Sequence, residues 1–404
     1  MELKTGYKQT EVGVIPSDWE VKKLGELGKF SKGSGVRKDE SLSGDIPCVR
    51  YGELYTRHSN YIKQFYSYIS KEVSETAKKL KTGDILFAGS GETKEEIGKS
   101  VAFIDEFDAY AGGDIVILTP TNVEPLYLGY LLNAPIIQKQ KASRGQGDAV
   151  VHISAAQLAI ISIALPANKA EQTAIATTLS DTDQYITHLE KLIAKKRNIK
   201  QGAMQELLRA KEGWVVKKLG EVAEIIGGGT PSTFISKYWN GTINWFTPTE
   251  IGTKKYTSES IRKITKEGLS SCSATILPVG AILLTTRAGI GDAAILTGEG
   301  CTNQGFQSLV AKQGYNHEYI YYLVLTLKNT LLENASGSTF LEISPKKIKQ
   351  IEILIPAYDV QAQIATILSD MDSEIATLET KLSKAQSIKQ GMMQQLLTGK
   401  IRLI

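Results

Sequence analysis

Two stretches of this chain place an apolar residue at alternating steps of four and three. Ile364, Leu368, Met371, Ile375, Leu378, Leu382 and Ala385 form one series. Ile175, Leu179, Thr182, Ile186, Leu189 and Ile193 form the other, with a threonine in one place. A mean step of 3.5 is the narrow a/d seam of a coiled coil, not the broader stripe of a helix lying on a globular core. Leu207 and Leu396 carry each pattern towards its end, and Pro166 and Pro356 stand just ahead, where proline closes a strand without harming the helix that follows. The pattern predicts helices over about 169–211 and about 358–398, rods of roughly 60 Å at ~1.5 Å per residue. No third seam of this kind is present, so the two rods are expected to pair. The first must lead into a second globular region and the second must return, which makes the pair antiparallel. The alternative is that each helix packs only on its own globular region.

Outside the seams the pattern changes to short apolar runs bounded by turn residues. Gly83–Phe87, Val101–Ile104 and Asp114–Leu118 read as strands, and Gly280–Leu284, Ala293–Leu296 and Gln307–Val310 fall at corresponding places. Short helices are predicted near Tyr127–Leu132 and Tyr319–Leu325. Each region closes with a segment alternating into a final strand, Ile153-Ser154 to Leu165-Pro166 and Ile343-Ser344 to Ile355-Pro356. The frame is written twice: Trp19-Glu-Val-Lys-Lys-Leu-Gly-Glu26 returns as Trp214-Val-Val-Lys-Lys-Leu-Gly-Glu221, and Ile199-Lys-Gln-Gly202 as Ile388-Lys-Gln-Gly391. The repeat takes up half of 404 residues, far beyond a solenoid unit of 20–50.

The predicted fold is therefore α+β: two similar domains joined by two long antiparallel coiled-coil helices, pseudo-twofold and circularly closed. The segments are a first domain at 1–166, a central spacer helix at 167–212, a second domain at 213–356 and a C-terminal spacer helix at 357–404. Leu396–Lys400 corresponds to Leu207–Lys211, which leads into Trp214, so the chain end should lie near the segment before Trp19. Glycine inside a helix costs about 1 kcal/mol relative to alanine, so its repetition at Gly202 and Gly391 suggests close packing of a neighbouring helix or chain.

Composition narrows the function classes. Hydrophobic content of 42% and charged content of 22% are ordinary for a globular protein. No apolar run reaches the ~18–20 residues of a membrane span. Met1–Gly6 has no apolar signal core, so a cytoplasmic protein is expected. Cys48, Cys272 and Cys301 are odd in number and far apart, and the four histidines are scattered, so neither a disulfide framework nor a metal site is expected. Net charge of +4 permits a nucleic-acid partner without requiring one.

Three strings invite an enzymatic reading. Phe87-Ala-Gly-Ser-Gly91 matches a loop that binds S-adenosylmethionine in methyltransferases, but the accompanying Asn/Asp-Pro-Pro-aromatic tetrapeptide is absent; Asn133-Ala-Pro-Ile136 lacks the stacking ring. Ile97-Gly-Lys-Ser100 resembles the tail of a P-loop, but Thr93 stands where the first glycine is needed. Asp84 with Glu92-Thr-Lys94 has nuclease residue types. None of the three recurs in the second copy, and the last two are read as turns.

The ordered set of motifs resembles the specificity subunit of type I restriction–modification systems. Its carriers are the openings at Trp19 and Trp214, the Gly227-Gly-Gly-Thr-Pro231 loop, Thr302-Asn-Gln-Gly-Phe306, the 343–356 closure, and the helix ends at Gly202-Ala-Met-Gln205 and Gly391-Met-Met-Gln394. The first domain departs from the pattern: Ala111-Gly-Gly113 replaces the Asn-Gln-Gly element and no Gly-Gly-Thr-Pro is present. The resemblance implies a non-catalytic, sequence-specific DNA-recognition subunit. It would read a bipartite asymmetric site in double-stranded DNA, one half per target-recognition domain. Its partners would be two methyltransferase and two restriction subunits, which carry the S-adenosylmethionine, ATP and Mg²⁺.

Loops that differ between the copies of a shared frame are where binders of different targets differ. They supply candidate phosphate and base contacts: Lys32, Arg37, Arg50, Lys94, Arg144 and Gln146 in the first domain, and Thr230, Ser232, Lys237, Thr249, Arg287, Asn303 and Ser338 in the second. Arg144 and Arg287 stand out because each sits in a glycine-flanked loop. Lys191, Lys195, Lys196, Arg197 and Lys200 line the first helix as a solvated face, a methyltransferase dock or a DNA backbone contact. The competing classes are a methyltransferase or nuclease acting alone, and a protein-interaction adaptor.

Overall fold

The computed structural model describes residues 5–147, 150–287, 289–337 and 341–403. The chain divides into two compact units, residues 1–190 with 380–404, and residues 191–379. Each holds one α+β domain, the start of one long helix and the end of the other. The helices run Lys169–Leu207 and Tyr358–Leu396, 39 residues apiece, a few residues short of their expected C-terminal ends.

In the first unit a four-stranded antiparallel sheet has the order Ser100–Ala102, Ile85–Ala88, Ile115–Pro120, Gly28–Lys32. Its two inner strands are the continuous apolar runs, and Ile85–Ala88 is buried throughout. A smaller sheet joins Ser67–Ile69, Ile46–Val49, Tyr110–Ala111 and Lys78–Lys79. In the second unit the main sheet has the order Ala223–Gly227, Gln307–Ala311, Ile282–Leu284, Ala293–Leu296, Tyr256–Thr257, and the smaller one Arg262–Ile264, Trp239–Phe246, Cys301–Thr302. The register repeats: Lys32 faces Val116 as Gly227 faces Gln307, and Ile85 faces Leu118 as Ile282 faces Leu309.

The repeated sequence motifs are the joints of this frame. In Lys-Leu-Gly-Glu, the Glu26 carboxylate accepts the Lys23 backbone N–H at 3.1 Å, and Glu221 accepts that of Lys218 at 2.6 Å. Each caps one helical turn from its third position. Ser154 and Ser344 cap the short helices of the two closures, elements that the alternating pattern there does not announce. A buried glutamine pins each long helix: Gln172 donates to the Pro166 carbonyl and Gln361 to that of Pro356, both at 2.9 Å. Their side-chain oxygens accept the backbone N–H of Glu124 and of Asn316.

The seam residues are buried or half-buried along both helices. The two helices pair in antiparallel sense within each unit: in the first Lys389 meets Asp183 at 2.6 Å, and in the second Lys196 meets Glu374 at 2.6 Å, Arg197 meets Glu379 at 2.6 Å and Lys200 meets Asp372. Helix–domain packing is also present, because Ile175 and Leu179 share one core with Leu396, and Ile364 and Leu368 share another with Met204 and Leu207. Each domain thus buries the start of its own helix and the end of the other. Buried tyrosines complete the joint. Tyr130 donates to Asp183 at 2.6 Å, and Tyr322 donates to Asp372 at 2.6 Å.

The chain end returns to the first unit as expected. Arg402 bridges Asp18 at 2.8 Å and the buried Glu171 at 2.5 Å, and the Tyr7 hydroxyl donates to the Gly399 carbonyl at 3.0 Å. Gly202 and Gly391 narrow one expectation: a Cβ at either would meet nothing within 4 Å among the described residues, so of the two neighbours expected there, a helix of this chain is not the one, and a partner chain is left.

Candidate nucleic-acid interface

The backbone builds the same rim in both units. In the first, the Gly112 N–H donates to the Val49 carbonyl at 2.9 Å, and the Gly89 N–H to the Asp114 carbonyl at 2.8 Å. In the second, Asn303 donates to Phe246 at 3.0 Å and Thr286 to Gly305 at 2.8 Å. A Cβ on Gly33 would lie 2.0 Å from the Gly112 oxygen, and one on Gly228 2.0 Å from the Asn303 oxygen, so both crossings require glycine. These contacts put Ala111-Gly-Gly113 and Thr302-Asn-Gln304 in equivalent places, and Arg50 where Thr247 stands. Glu53 and Glu250 accept the backbone N–H of those two residues.

On this rim the second unit gathers most of its candidates. The Thr230 hydroxyl donates to Gln304, Thr247 and Thr249 hydroxyls are 3.1 Å apart, and the Asn303 side-chain oxygen accepts the Gly305 N–H at 2.8 Å. A Cβ on Gly305 would touch Pro248, one on Gly228 would meet Asn303, and the Thr286 N–H donates to the Gly305 carbonyl, so the segments 228–231, 247–250, 285–287 and 302–306 converge. Arg287 lies here, its guanidinium 3.0 Å from the Glu342 carboxylate. Ser232 and Lys237 stand apart. The Ser232 carbonyl accepts from the Trp239 indole at 3.1 Å, and Lys237 is paired with Glu267 at 3.0 Å, a contact that raises its pKa. Ser338 lies outside the described residues.

The first unit's candidates are more scattered. Lys32 and Gln146 line a cleft of about 740 Å³ together with Ser90 and His152; Lys32 lies 3.9 Å from Asp114. Arg144 bends back to donate to the Gln140 carbonyl at 2.9 Å, on the last turn of its own helix, where a cation complements the helix dipole. Arg37 and Lys94 lie exposed in separate loops, and Arg50 is half-buried before the Tyr51–Thr56 turn.

Sequence reasoning missed Ser90, His152 and Glu342. The signal was available: His152 and Glu342 immediately precede the matched Ile-Ser closures. It also missed Phe234, 97% exposed in a polar loop beside Ser232.

The enzymatic strings fall on the frame. Phe87-Ala88 belongs to an antiparallel strand that continues into Ser90–Gly91, not into a helix. Gly98 of the P-loop-like string has φ +70° in a tight turn, closed by Lys141 donating to its carbonyl at 2.7 Å. Asp84 accepts the Lys81 N–H and the Thr119 hydroxyl inside the fold. Burial pushes the Cys48 and Cys301 thiols up to about 12. Among the described residues no group of three His, Cys, Asp or Glu side chains is placed to hold a metal ion, and no helix is long and apolar enough to cross a membrane.

Two copies of one α+β frame, each with a loop rim carrying polar groups of its own, define a paired recognition module. The chain belongs to the family of type I restriction modification DNA specificity domains, whose model matches residues 16–201 and again 211–387. It is similar to the type I restriction enzyme MjaIX specificity subunit of Methanocaldococcus jannaschii, 42% identical over 166 residues that make up 40% of this chain and 38% of that protein. A putative type I restriction enzyme MjaX specificity subunit of the same organism is 26% identical over 98% of this chain and 97% of its own length. The crystal structure of a type I restriction–modification S subunit from M. genitalium superposes with a TM-score of 0.62, covering 98% of both chains at 14% identity. At that identity the likeness is one of fold.

Proposed function

We propose that the chain reads a bipartite, asymmetric site in double-stranded DNA, residues 1–166 reading one half and 213–356 the other. The helices at 167–212 and 357–404 then act as a caliper. In this reading it is non-catalytic: it brings methyltransferase subunits, two per chain, and restriction subunits to the site, and S-adenosylmethionine, ATP and Mg²⁺ act on those partners. The observation that carries the reading is the doubled rim: identical backbone hydrogen bonds hold unlike side chains, Arg50 for Thr247, Gly112 for Asn303 and Ser90 for Arg287. A shared scaffold with exchanged polar groups suits two readers of different base sequences. The helices also carry Ile199 and Ile388, both exposed and one turn before the open faces of Gly202 and Gly391. Such a repeated apolar face suits two copies of one partner.

The caliper is tested by inserting one heptad into both helices, about 10.5 Å of rod. The methylated motif, mapped genome-wide in cells that also make the methyltransferase partner, should gain about three unread base pairs between unchanged half-sites. An unchanged gap overturns the caliper.

A further inference from the structure

At one position of the repeated frame each unit carries a polar pair, and the two pairs differ chemically. In the first unit the Ile153 N–H donates to the Gly89 carbonyl at 2.9 Å, which sets Ser90 beside His152; the Ser90 hydroxyl and His152 Nδ1 are 2.9 Å apart. In the second the Ile343 N–H donates to the Thr286 carbonyl at 3.2 Å, which sets Arg287 beside Glu342 at 3.0 Å. The bridges from Gln146 to His152 and from Ser336 to Glu342 are matched too. The backbone hydrogen bonds are the same with either pair, so the frame does not dictate the chemistry of the side chains there. A frame that keeps a position and changes the chemistry there, on the rim of the doubled recognition loops, marks it as a determinant of which bases are read.

The Arg287–Glu342 pair is specific enough to name its target. Both side chains are about 40% exposed, within reach of a ligand, and the Arg287 Nε is buried without a hydrogen-bond partner among the described residues. In the major groove a G·C pair presents guanine N7 and O6 as adjacent acceptors, then the cytosine N4 amine as a donor. Guanine O6 and cytosine N4 are themselves hydrogen-bonded, so they lie about 2.9 Å apart. A guanidinium fork with a carboxylate 3.0 Å away is the complement of that row. An A·T pair offers single acceptors on either side of its donor, and the thymine methyl next to one of them, so the fork would leave an N–H unpaired.

We propose that Arg287 and Glu342 together read one G·C base pair through the major groove, the guanidinium on guanine O6 and N7 and the carboxylate on cytosine N4. Ser90 and His152 hold the equivalent reading position of the first unit. The proposal rests on the bipartite DNA reading and sharpens it.

The test uses the full chain assembled with its methyltransferase partner. Wild type, Arg287→Gln, Glu342→Gln and the exchange Arg287→Ser with Glu342→His are compared by genome-wide mapping of N6-methyladenine. The purified complexes are then titrated with duplexes altered one base pair at a time. The expected result is relaxation at a single G·C position of the half-site read by the second unit. Discrimination there should fall roughly 5- to 150-fold, with the other half-site and the gap unchanged. If a variant abolishes methylation in cells, the titration still decides: loss of preference at one G·C pair supports the proposal, whereas uniform weakening on every duplex marks a phosphate contact and overturns it. An unchanged motif, or relaxation at an A·T pair or in the other half-site, overturns it as well. A wild-type complex that methylates no bipartite motif would instead defeat the underlying DNA reading.

Discussion

The first unit closes on a charge cluster where the second has an apolar side chain. Glu171, almost fully buried, faces Arg402 and through it Asp18; its counterpart one repeat later on the second helix is Val360, an exposed apolar residue. The difference follows from connectivity. Leu207 runs on through a short link to Trp214, while the segment after Leu396 is held on the first domain by Arg402 and by the Gly399 carbonyl. Covalent continuity in one unit is replaced by an ion-pair clamp in the other. The same comparison runs through the cores: Lys141, fully buried, stands where the second unit has Leu331. Its amine donates to the Gly98 carbonyl, and burial holds its pKa down at about 7.

The largest break should come from the clamp. Arg402→Ala leaves Glu171 buried and unpaired, a loss of about 3–5 kcal/mol, read by hydrogen exchange as deprotection confined to the first unit; equal deprotection of both units would show that the clamp is not local. Next are the helix joints. Asp183→Ala strips both Tyr130 and Lys389 of a partner and should cost about 2–3 kcal/mol. Asp372→Ala should cost less, because the second pair is more exposed, at 18% and 25% against 19% and 10%. Reversed order in chemical denaturation would contradict the account of burial.

Lys141→Met should stabilise the protein by about 2 kcal/mol near neutral pH. Because the folded-state pKa is depressed, the unfolded chain binds the extra proton between about pH 7 and the ordinary lysine value, so wild-type stability rises with pH across that window. The advantage of the variant should be full below about pH 7 and shrink as pH rises; a constant gap in thermal melts would mean that the amine is not neutralised in the fold. The smallest effect is at the surface. Lys94→Ala should weaken binding to all duplexes alike and lower the salt slope by about one; a change in sequence preference would place Lys94 among the base readers.

The frame was legible because it is periodic or repeated. The seams predicted both long helices to within a few residues, and the matched apolar runs marked the main sheets. The shortest strands of the smaller sheets were not legible: Lys78–Lys79, Tyr110–Ala111 and Cys301–Thr302 have two residues each, too few for any period. The site was legible only in part. A glycine-flanked arginine is visible in sequence, but its partner is not, and the partner separates two outcomes. Arg287 meets Glu342 on the rim, while Arg144 turns back onto its own helix.

One frame carrying two unlike readers is the arrangement we propose. Genome-wide mapping of N6-methyladenine in cells expressing this chain with its methyltransferase partner tests it directly. The expected result is one motif with two different half-sites and a fixed gap. A palindromic motif, an uninterrupted site, or no methylation dependent on this chain would contradict it.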